Sequence, residues 1–126
     1  MSLQAVTSDK APSAIGPYSC AIKTGSTLYV SGQLPIDITT GTMPETAAEQ
    51  AEQSLKNVKS LVESAGFSLS DVAKVVVFLT DINDFASVNE VYSKFFTAPY
   101  PARSCVGVQS LPKGAKVEIE CIAIKG

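Results

Sequence analysis

One arginine and two glutamates in the last quarter of the chain could bind a small charged molecule. Arg103 stands near the start of the stretch PARSCVGV, where its neighbours are small or apolar. Glu118 and Glu120 lie two residues apart in the apolar stretch KVEIECIAI. An arginine in such surroundings needs an anionic partner, because burying an unpaired charge is costly. Either Arg103 forms a structural ion pair with one of these glutamates, or its guanidinium binds the carboxylate of a ligand through two parallel hydrogen bonds.

The absence of histidine removes several kinds of catalytic site. Ser-His-Asp catalysis, Cys-His catalysis and histidine-ligated zinc all require that residue. The three cysteines, Cys20, Cys105 and Cys121, are too few and too scattered for a thiolate zinc site, so we expect no metal and no cofactor. Their apolar surroundings favour buried free thiols in a reducing compartment.

Composition predicts a single globular domain over residues 1–126. Hydrophobic residues make up 45% of the chain and charged residues 17%, which supports a core and argues against disorder. The net charge of -2 gives no electrostatic attraction to nucleic acid or to an anionic membrane. Without an 18-residue apolar run or the apolar core of a signal peptide, we expect a cytoplasmic protein, the mitochondrial matrix being the alternative.

The spacing of apolar residues predicts five strands and two helices in the order ββαβαββ. The two crossovers that contain a helix should be right-handed, which places both helices on one face of a mixed sheet. The sequence therefore predicts a two-layer α+β sandwich. After an irregular arm at 1–17, strands are expected at 19–24, 27–33 and 72–80 and in two segments that begin at Ala102 and Lys116, with a loop at 34–44.

Local signals mark the ends of the two predicted helices. Thr46 and Glu49 have the spacing of a capping box, and Gly66 suits the left-handed residue that follows a helix. Asp84 is expected to cap the second helix. The apolar stripe of that helix comprises Phe85, Val88, Tyr92, Phe95 and Phe96.

Two segments determine how the sheet is expected to assemble. The stretch VVVFL, residues 75–79, is apolar at every position, as in strands that are buried on both faces. Two helices cover only one face, so we expect other copies of the chain to cover the second face in a symmetric homo-oligomer. The stretch LPKGA is expected to join the last two strands as a hairpin, which would bring Arg103 beside Glu118 and Glu120.

Six segments, in the same order along the chain, resemble the Rid family of reactive-intermediate deaminases, also called YjgF, in its RidA branch. They are SAIGPYS, YVSGQLPID, QAEQSLKNVKSLVESAG, DINDFASVNEVYSKFF, YPARSCVGV and LPKGAKVEIECIAI. The resemblance implies a chorismate-mutase-like (ferredoxin-like) sandwich that assembles as a homotrimer, with sites in clefts between subunits. One departure is the connection TAPYP before Arg103, which is shorter than in some bacterial members.

The resemblance also implies hydrolysis of 2-imino acids, formed from serine or threonine by pyridoxal-phosphate enzymes, to 2-oxo acids and ammonia. By position, Arg103 matches the arginine that holds the substrate carboxylate, and Glu118 matches the glutamate that positions the attacking water. Cys105 lies where the family uses backbone groups beside the substrate, while Glu120 is expected to be a structural charge. The matches to residues that line the cleft are Tyr18, Ser31, Gly32 and Asn89.

Each lining residue also has a structural explanation. Tyr18 could pack against the first hairpin, Ser31 and Gly32 could form a β-bulge, and Asn89 could bond a nearby loop. Cys105 is not expected to be a nucleophile, because no base is available to activate its thiol.

Three other functions remain open. A trimer that only binds small carboxylates, as a sensor or chaperone, would use the same Arg103, and only turnover would distinguish it from an enzyme. Ribonuclease or translation-inhibitor action has been attributed to some family members, but this chain has no histidine pair, basic stripe or aromatic platform for RNA. Some Rid subfamilies lack deaminase activity, against which the presence of Arg103 argues.

Overall fold

A mixed six-stranded sheet with two helices packed on one face makes up the part of the chain described by the computed structural model, residues 2–126. The strands are β1 (Gln4–Val6), β2 (Ala21–Thr24), β3 (Thr27–Gln33), β4 (Val72–Leu79), β5 (Ala102–Gly107) and β6 (Val117–Ile124), and the helices are α1 (Ala47–Ser64) and α2 (Phe85–Tyr92). The strand order is β1-β2-β3-β6-β4-β5. The predicted two-layer α+β sandwich is confirmed.

The connection between the last two strands differs from the prediction. β4 lies between β5 and β6, so these two strands do not form a hairpin. β5 instead pairs with β4 in parallel after the crossover through α2, and β6 inserts antiparallel between β3 and β4. Within LPKGA, the residues Pro112–Gly114 form a single 3₁₀ turn. The long-range pairing of β6 with β3 and β4 overrides the local turn signal that suggested a hairpin.

The two faces of the sheet have different environments. The face covered by the helices is called the helix face, and there Val75, Val77 and Leu79 of β4 are buried. On the opposite face, the open face, Val76 and Phe78 are only partly buried. Further apolar side chains of the open face are Ile22, Tyr29, Val106, Ile122 and Ile124. A single chain therefore covers one face of its apolar strand and leaves the other accessible.

The ends of α1 follow the predicted local signals. The backbone N–H of Glu49 donates to Thr46 Oγ1 at 3.1 Å, and the Thr46 N–H donates to the Glu49 carboxylate at 3.3 Å. This is the expected capping box, and Gly66 after the helix has the expected positive φ of 84°. No helix in the described part of the chain is long and apolar enough to cross a bilayer.

Two predictions near the ends of elements are wrong. Asp84 makes no capping hydrogen bond; the side chain of Asp81 accepts from the Asn83 N–H at 2.9 Å and starts a 3₁₀ turn that leads into α2. The arm expected to be irregular contains β1, which pairs antiparallel with β2. Three residues on a sheet edge carry too little periodicity to be recognised in sequence.

Candidate functional site

Arg103 lies on the helix face at the beginning of the edge strand β5. Its guanidinium carbon is 4.6 Å from the centre of the Tyr92 ring and 5.5 Å from that of Phe85, both on α2. The Arg103 side chain donates no hydrogen bond to any described residue. It also forms no ion pair, since the ion pair in the described part of the chain joins Lys56 to Glu52 on α1. The guanidinium is held by aromatic contacts that need no acceptor, so its N–H donors are free to bind an anion.

Glu118 and Glu120 lie on the open face of β6, alternating along the strand with buried apolar residues. Arg103 pairs with Val75 of β4, and Val75 pairs with Cys121 of β6, so these three side chains share one face of the sheet. Cys121 alternates with the glutamates along β6, and Arg103 therefore lies on the face opposite to both of them. The structural ion pair considered from the sequence is therefore absent. Burial and then the neighbouring charge of Glu120 raise the pKa of Glu118.

The carboxylate of Glu118 lies directly against the backbone of Gly32. The β3–β6 ladder shifts register at Ser31 and Gly32. β3 advances three residues from Val30 to Gln33 while β6 advances only two, from Cys121 to Ile119. A Cβ atom on Gly32 would stand 2.8 Å from Glu118 Oε2 and 2.9 Å from its Cδ. The β-bulge offered as the structural explanation is thus present, and it creates the space in which the Glu118 carboxylate sits.

Ser31 and Tyr18 belong to the same part of the molecule as Gly32. The Ser31 hydroxyl donates to the Ser19 carbonyl at 2.6 Å, which fixes the segment that carries Tyr18. The Tyr18 side chain is 49% exposed and lines a shallow depression that Gly32 also lines. Ser31 therefore has a structural contact in the single chain, whereas Tyr18 presents its ring to the surface.

Asn89 and Cys105 belong to the part of the molecule that contains Arg103. Asn89 lies on α2 four residues after Phe85 and three before Tyr92, the two residues whose rings contact Arg103. Cys105 follows Arg103 on the same face of β5 and is partly buried. Burial raises the pKa of the Cys105 thiol although the charge of Arg103 opposes it, so the thiol stays protonated and is a weak nucleophile.

The predicted site residues thus form two groups, and the charged residues of the two groups, Arg103 and Glu118, lie on opposite faces of the sheet. One group contains Arg103, Cys105 and Asn89, and the other contains Glu118, Gly32, Ser31 and Tyr18. A single copy of the chain does not bring them to one place.

The remaining thiols have no sign of a chemical role. Cys20 and Cys121 are buried and unpaired, as expected from their apolar surroundings, and burial raises the pKa of Cys121 to about 12. No group of three potential metal-binding side chains occurs among residues 2–126.

Sequence reasoning missed the contact of Phe85 and Tyr92 with Arg103. Both residues were placed on the apolar stripe of the second helix, with no contact to Arg103 expected. The signal that could have found them is the parallel β4-α2-β5 unit, because a crossover helix packs over the strand that follows it. That crossover was predicted, but the expected hairpin placed Arg103 on the same face as Glu118 and Glu120 and therefore away from α2.

Comparison with known proteins places the chain in a family. The family model described as "Endoribonuclease L-PSP" matches residues 8–125, which is nearly the whole chain. This chain belongs to the YjgF/RidA family. The resemblance drawn from the six sequence segments is therefore confirmed.

Individual members of the YjgF/RidA family match the chain over almost its full length. The 2-iminobutanoate/2-iminopropanoate deaminase of Salmonella typhimurium is 50% identical over 123 residues, covering 95% of this chain and 96% of the relative. A RutC family protein of Sinorhizobium fredii is 54% identical over 121 residues, with coverage of 95% and 96%. The crystal structure of Escherichia coli TdcF with bound serine superposes with a TM-score of 0.94 at 48% identity, covering 98% of this chain and 99% of TdcF.

Proposed function

We propose that this protein is an enzyme that hydrolyses small 2-imino acids to 2-oxo acids and ammonia. The proposal rests mainly on the position of the Arg103 guanidinium. Two aromatic rings hold this group, and its hydrogen-bond donors remain free. Such a group suits the carboxylate that every 2-imino acid carries. The relatives named 2-iminobutanoate/2-iminopropanoate deaminase, 50% and 49% identical to this chain, support the substrate class.

Each active site is proposed to form between two neighbouring copies of a homotrimer. One copy contributes Arg103, Asn89 and the backbone at Cys105; its neighbour contributes Glu118 and the surface lined by Tyr18, Ser31 and Gly32. The separation of Arg103 and Glu118 on opposite faces of one sheet supports a site made of two copies. The exposed apolar side chains of the open face support an association that would cover them. The number of three copies follows the resemblance to RidA.

The proposed reaction needs only modest proton transfer, because an imine carbon is already electrophilic. Arg103 binds the substrate carboxylate and Glu118 orients a water molecule toward the C=N carbon. The water oxygen bonds to that carbon, the C=N electron pair moves to nitrogen, and Glu118 takes the proton that the water loses. Glu118 returns that proton to the nitrogen, which completes the carbinolamine. The hydroxyl proton then passes by way of Glu118 to the nitrogen, the C–N bond breaks, ammonia leaves and C=O forms. No metal ion or nucleophilic side chain takes part in these steps.

The environment of Glu118 suits such a proton acceptor. Burial raises its pKa above the ordinary value of 4.5, toward the pH at which the reaction would run. A base with a pKa nearer to the working pH both accepts and returns a proton more readily. Among the described residues, Glu118 accepts no side-chain hydrogen bond, which leaves its oxygens free for water.

The direct test is to generate the imine in the presence of the protein. A threonine dehydratase would supply 2-iminobutanoate, and an amino-acid oxidase with alanine and catalase would supply 2-iminopropanoate. Semicarbazide traps the surviving imine, so an active protein should lower the rate of semicarbazone formation and raise the rate of 2-oxo acid release. An Arg103→Ala sample prepared in parallel controls for contaminating activity. Unchanged trapping at micromolar protein would exclude the proposed activity.

The description of the matching family model makes ribonuclease action a second candidate. Incubation of the same samples with single-stranded RNA separates the two functions. RNA cleavage without imine hydrolysis would support the ribonuclease candidate, whereas imine hydrolysis without RNA cleavage supports the deaminase proposal. Binding of 2-oxobutanoate without turnover would instead support a carboxylate-binding protein.

A further inference from the structure

Two rings of α2 fix the position of the Arg103 guanidinium, but they differ in how firmly they are held themselves. Tyr92 is closer to the guanidinium, at 4.6 Å, and only 6% exposed. Phe85 is at 5.5 Å and 38% exposed. A cation gains more from an aromatic face that is desolvated and immobile. Tyr92 is therefore the stronger of the two contacts.

Packing alone holds the Tyr92 ring in place. Its centre is 4.8 Å from that of Phe96, with 37° between the ring planes. Its hydroxyl is buried and has no hydrogen-bond partner in the described part of the chain. A buried hydroxyl without a partner is unfavourable, so hydrogen bonding does not explain the position of this side chain. The contact that Tyr92 makes with Arg103 is therefore that of its ring with the cation.

We propose that Tyr92 is a positioning residue for Arg103, and this rests on the proposed function of Arg103 as the carboxylate-binding group. The Tyr92 ring holds the guanidinium over α2 in the empty protein, so that the N–H donors are ordered before the substrate carboxylate arrives. Without the ring, the long side chain of Arg103 must be ordered when the ligand binds. That ordering lowers affinity and leaves the chemistry at the imine carbon unchanged.

Two substitutions of Tyr92 separate the ring from the hydroxyl. Tyr92→Phe keeps the ring, and we expect KM for the imino acid and Kd for 2-oxobutanoate to stay within about 2-fold of the wild type. Tyr92→Leu keeps an apolar side chain but removes the ring, and we expect both constants to rise by about 3- to 10-fold with little change in kcat. Phe67→Leu is the matched control, because it removes another buried ring far in the sequence from the site and should change stability only.

A double substitution tests whether Tyr92 acts through Arg103. In the Arg103→Ala background, adding Tyr92→Leu should cause no further loss of kcat/KM, because the group that the ring positions is already gone. An equal further loss in that background would overturn the proposal. The proposal is also overturned if Tyr92→Leu binds 2-oxobutanoate as tightly as the wild type, or if Tyr92→Phe is as defective as Tyr92→Leu.

A spectroscopic measurement keeps this test independent of the deaminase activity. In the ligand-free protein, the ring current of Tyr92 should displace the side-chain proton resonances of Arg103 from those of an exposed arginine. The displacement should persist in Tyr92→Phe and shrink in Tyr92→Leu. If the wild type neither hydrolyses imines nor binds 2-oxobutanoate, the proposed function fails even when these displacements are present. The positioning role is overturned if the Arg103 resonances are undisplaced in both the wild type and Tyr92→Phe. This comparison does not need Tyr92→Leu, so the test holds even if that variant does not fold.

Discussion

Arg103 and Glu118 lie on opposite faces of one sheet and two strands apart. β4 separates their strands, with Val75 paired to Arg103 and Phe78 paired to Glu118. From ordinary strand spacing, their Cα atoms are roughly 14 Å apart, and their side chains point away from each other. One ligand cannot contact both side chains of a single copy, so a site that uses both must combine two copies.

Mixing two inactive variants tests this arrangement. Equal amounts of the Arg103→Ala and Glu118→Gln variants are unfolded together and refolded. The refolded mixture should regain about a quarter of the wild-type hydrolysis rate. In a cyclic oligomer with random mixing, about one interface in four pairs an intact Arg103 with an intact Glu118 from the neighbouring copy. The measurement is imine hydrolysis of the mixture compared with each variant refolded alone. No recovery in verified mixed oligomers would contradict a site that combines Arg103 of one copy with Glu118 of its neighbour.

Substitution of Arg103 should separate ligand binding from stability. Arg103→Lys keeps the charge but loses the planar pair of donors, which should cost on the order of 2–4 kcal/mol in transition-state binding, roughly 30- to 1000-fold in kcat/KM. Arg103 has no carboxylate partner within the described chain, so melting temperature and oligomeric state should change little. Thermal unfolding and hydrolysis are measured on the same Arg103→Lys and Arg103→Ala samples. A large fall in melting temperature, or near-normal hydrolysis, would assign Arg103 a structural role.

Much of the fold could be predicted from sequence because its signals are local. The capping box of Thr46 and Glu49, the left-handed Gly66 and the limits of β3 at 27–33 all depend on residues close together in the chain. The strand order depends instead on which distant segments pair. β6 inserts between β3 and β4, and no local pattern specifies that choice.

The candidate site shows the same division. The sequence identified Arg103 and Glu118 as the charged groups in apolar strands, and both are partly buried with no ion-pair partner in the described chain. The assumed hairpin nevertheless placed them side by side, and only the observed register puts them on opposite faces. The contact between Tyr92 and Arg103 was missed for the same reason, since the assumed hairpin placed Arg103 on the face of the glutamates and not on the helix face beneath α2.

Gly32 should be required because of the close approach of Glu118. In Gly32→Ala the new Cβ would stand 2.8 Å from Glu118 Oε2 and would displace the carboxylate. A displacement of about 1 Å should lower kcat/KM by roughly 10- to 100-fold, while the flexible end of Glu118 moves without a large change in stability. Steady-state kinetics and melting temperature provide the measurement.

Two further variants interpret the Gly32 result. Gly107→Ala is the matched control, because its added Cβ meets no atom closer than 3.7 Å and should leave activity unchanged. In the double variant Gly32→Ala, Glu118→Gln, activity should be no lower than in Glu118→Gln alone. A clearly lower activity would show that Gly32 contributes in a way that does not depend on Glu118.

The pH dependence of hydrolysis should report the ionisation of Glu118. The group must be ionised to accept a proton from water, so activity is lost as the pH falls through its pKa. Burial and then Glu120 raise that pKa, which places the acidic limb of kcat/KM above pH 4.5, the ordinary value for glutamate. Glu120→Gln removes the second cause and should move the limb to lower pH while leaving the maximal rate nearly unchanged. The measurement is kcat/KM with imine supplied in situ between pH 4.5 and 8, in wild type and Glu120→Gln. A limb that does not move, or that moves upward in Glu120→Gln, would mean that a group other than Glu118 controls the reaction.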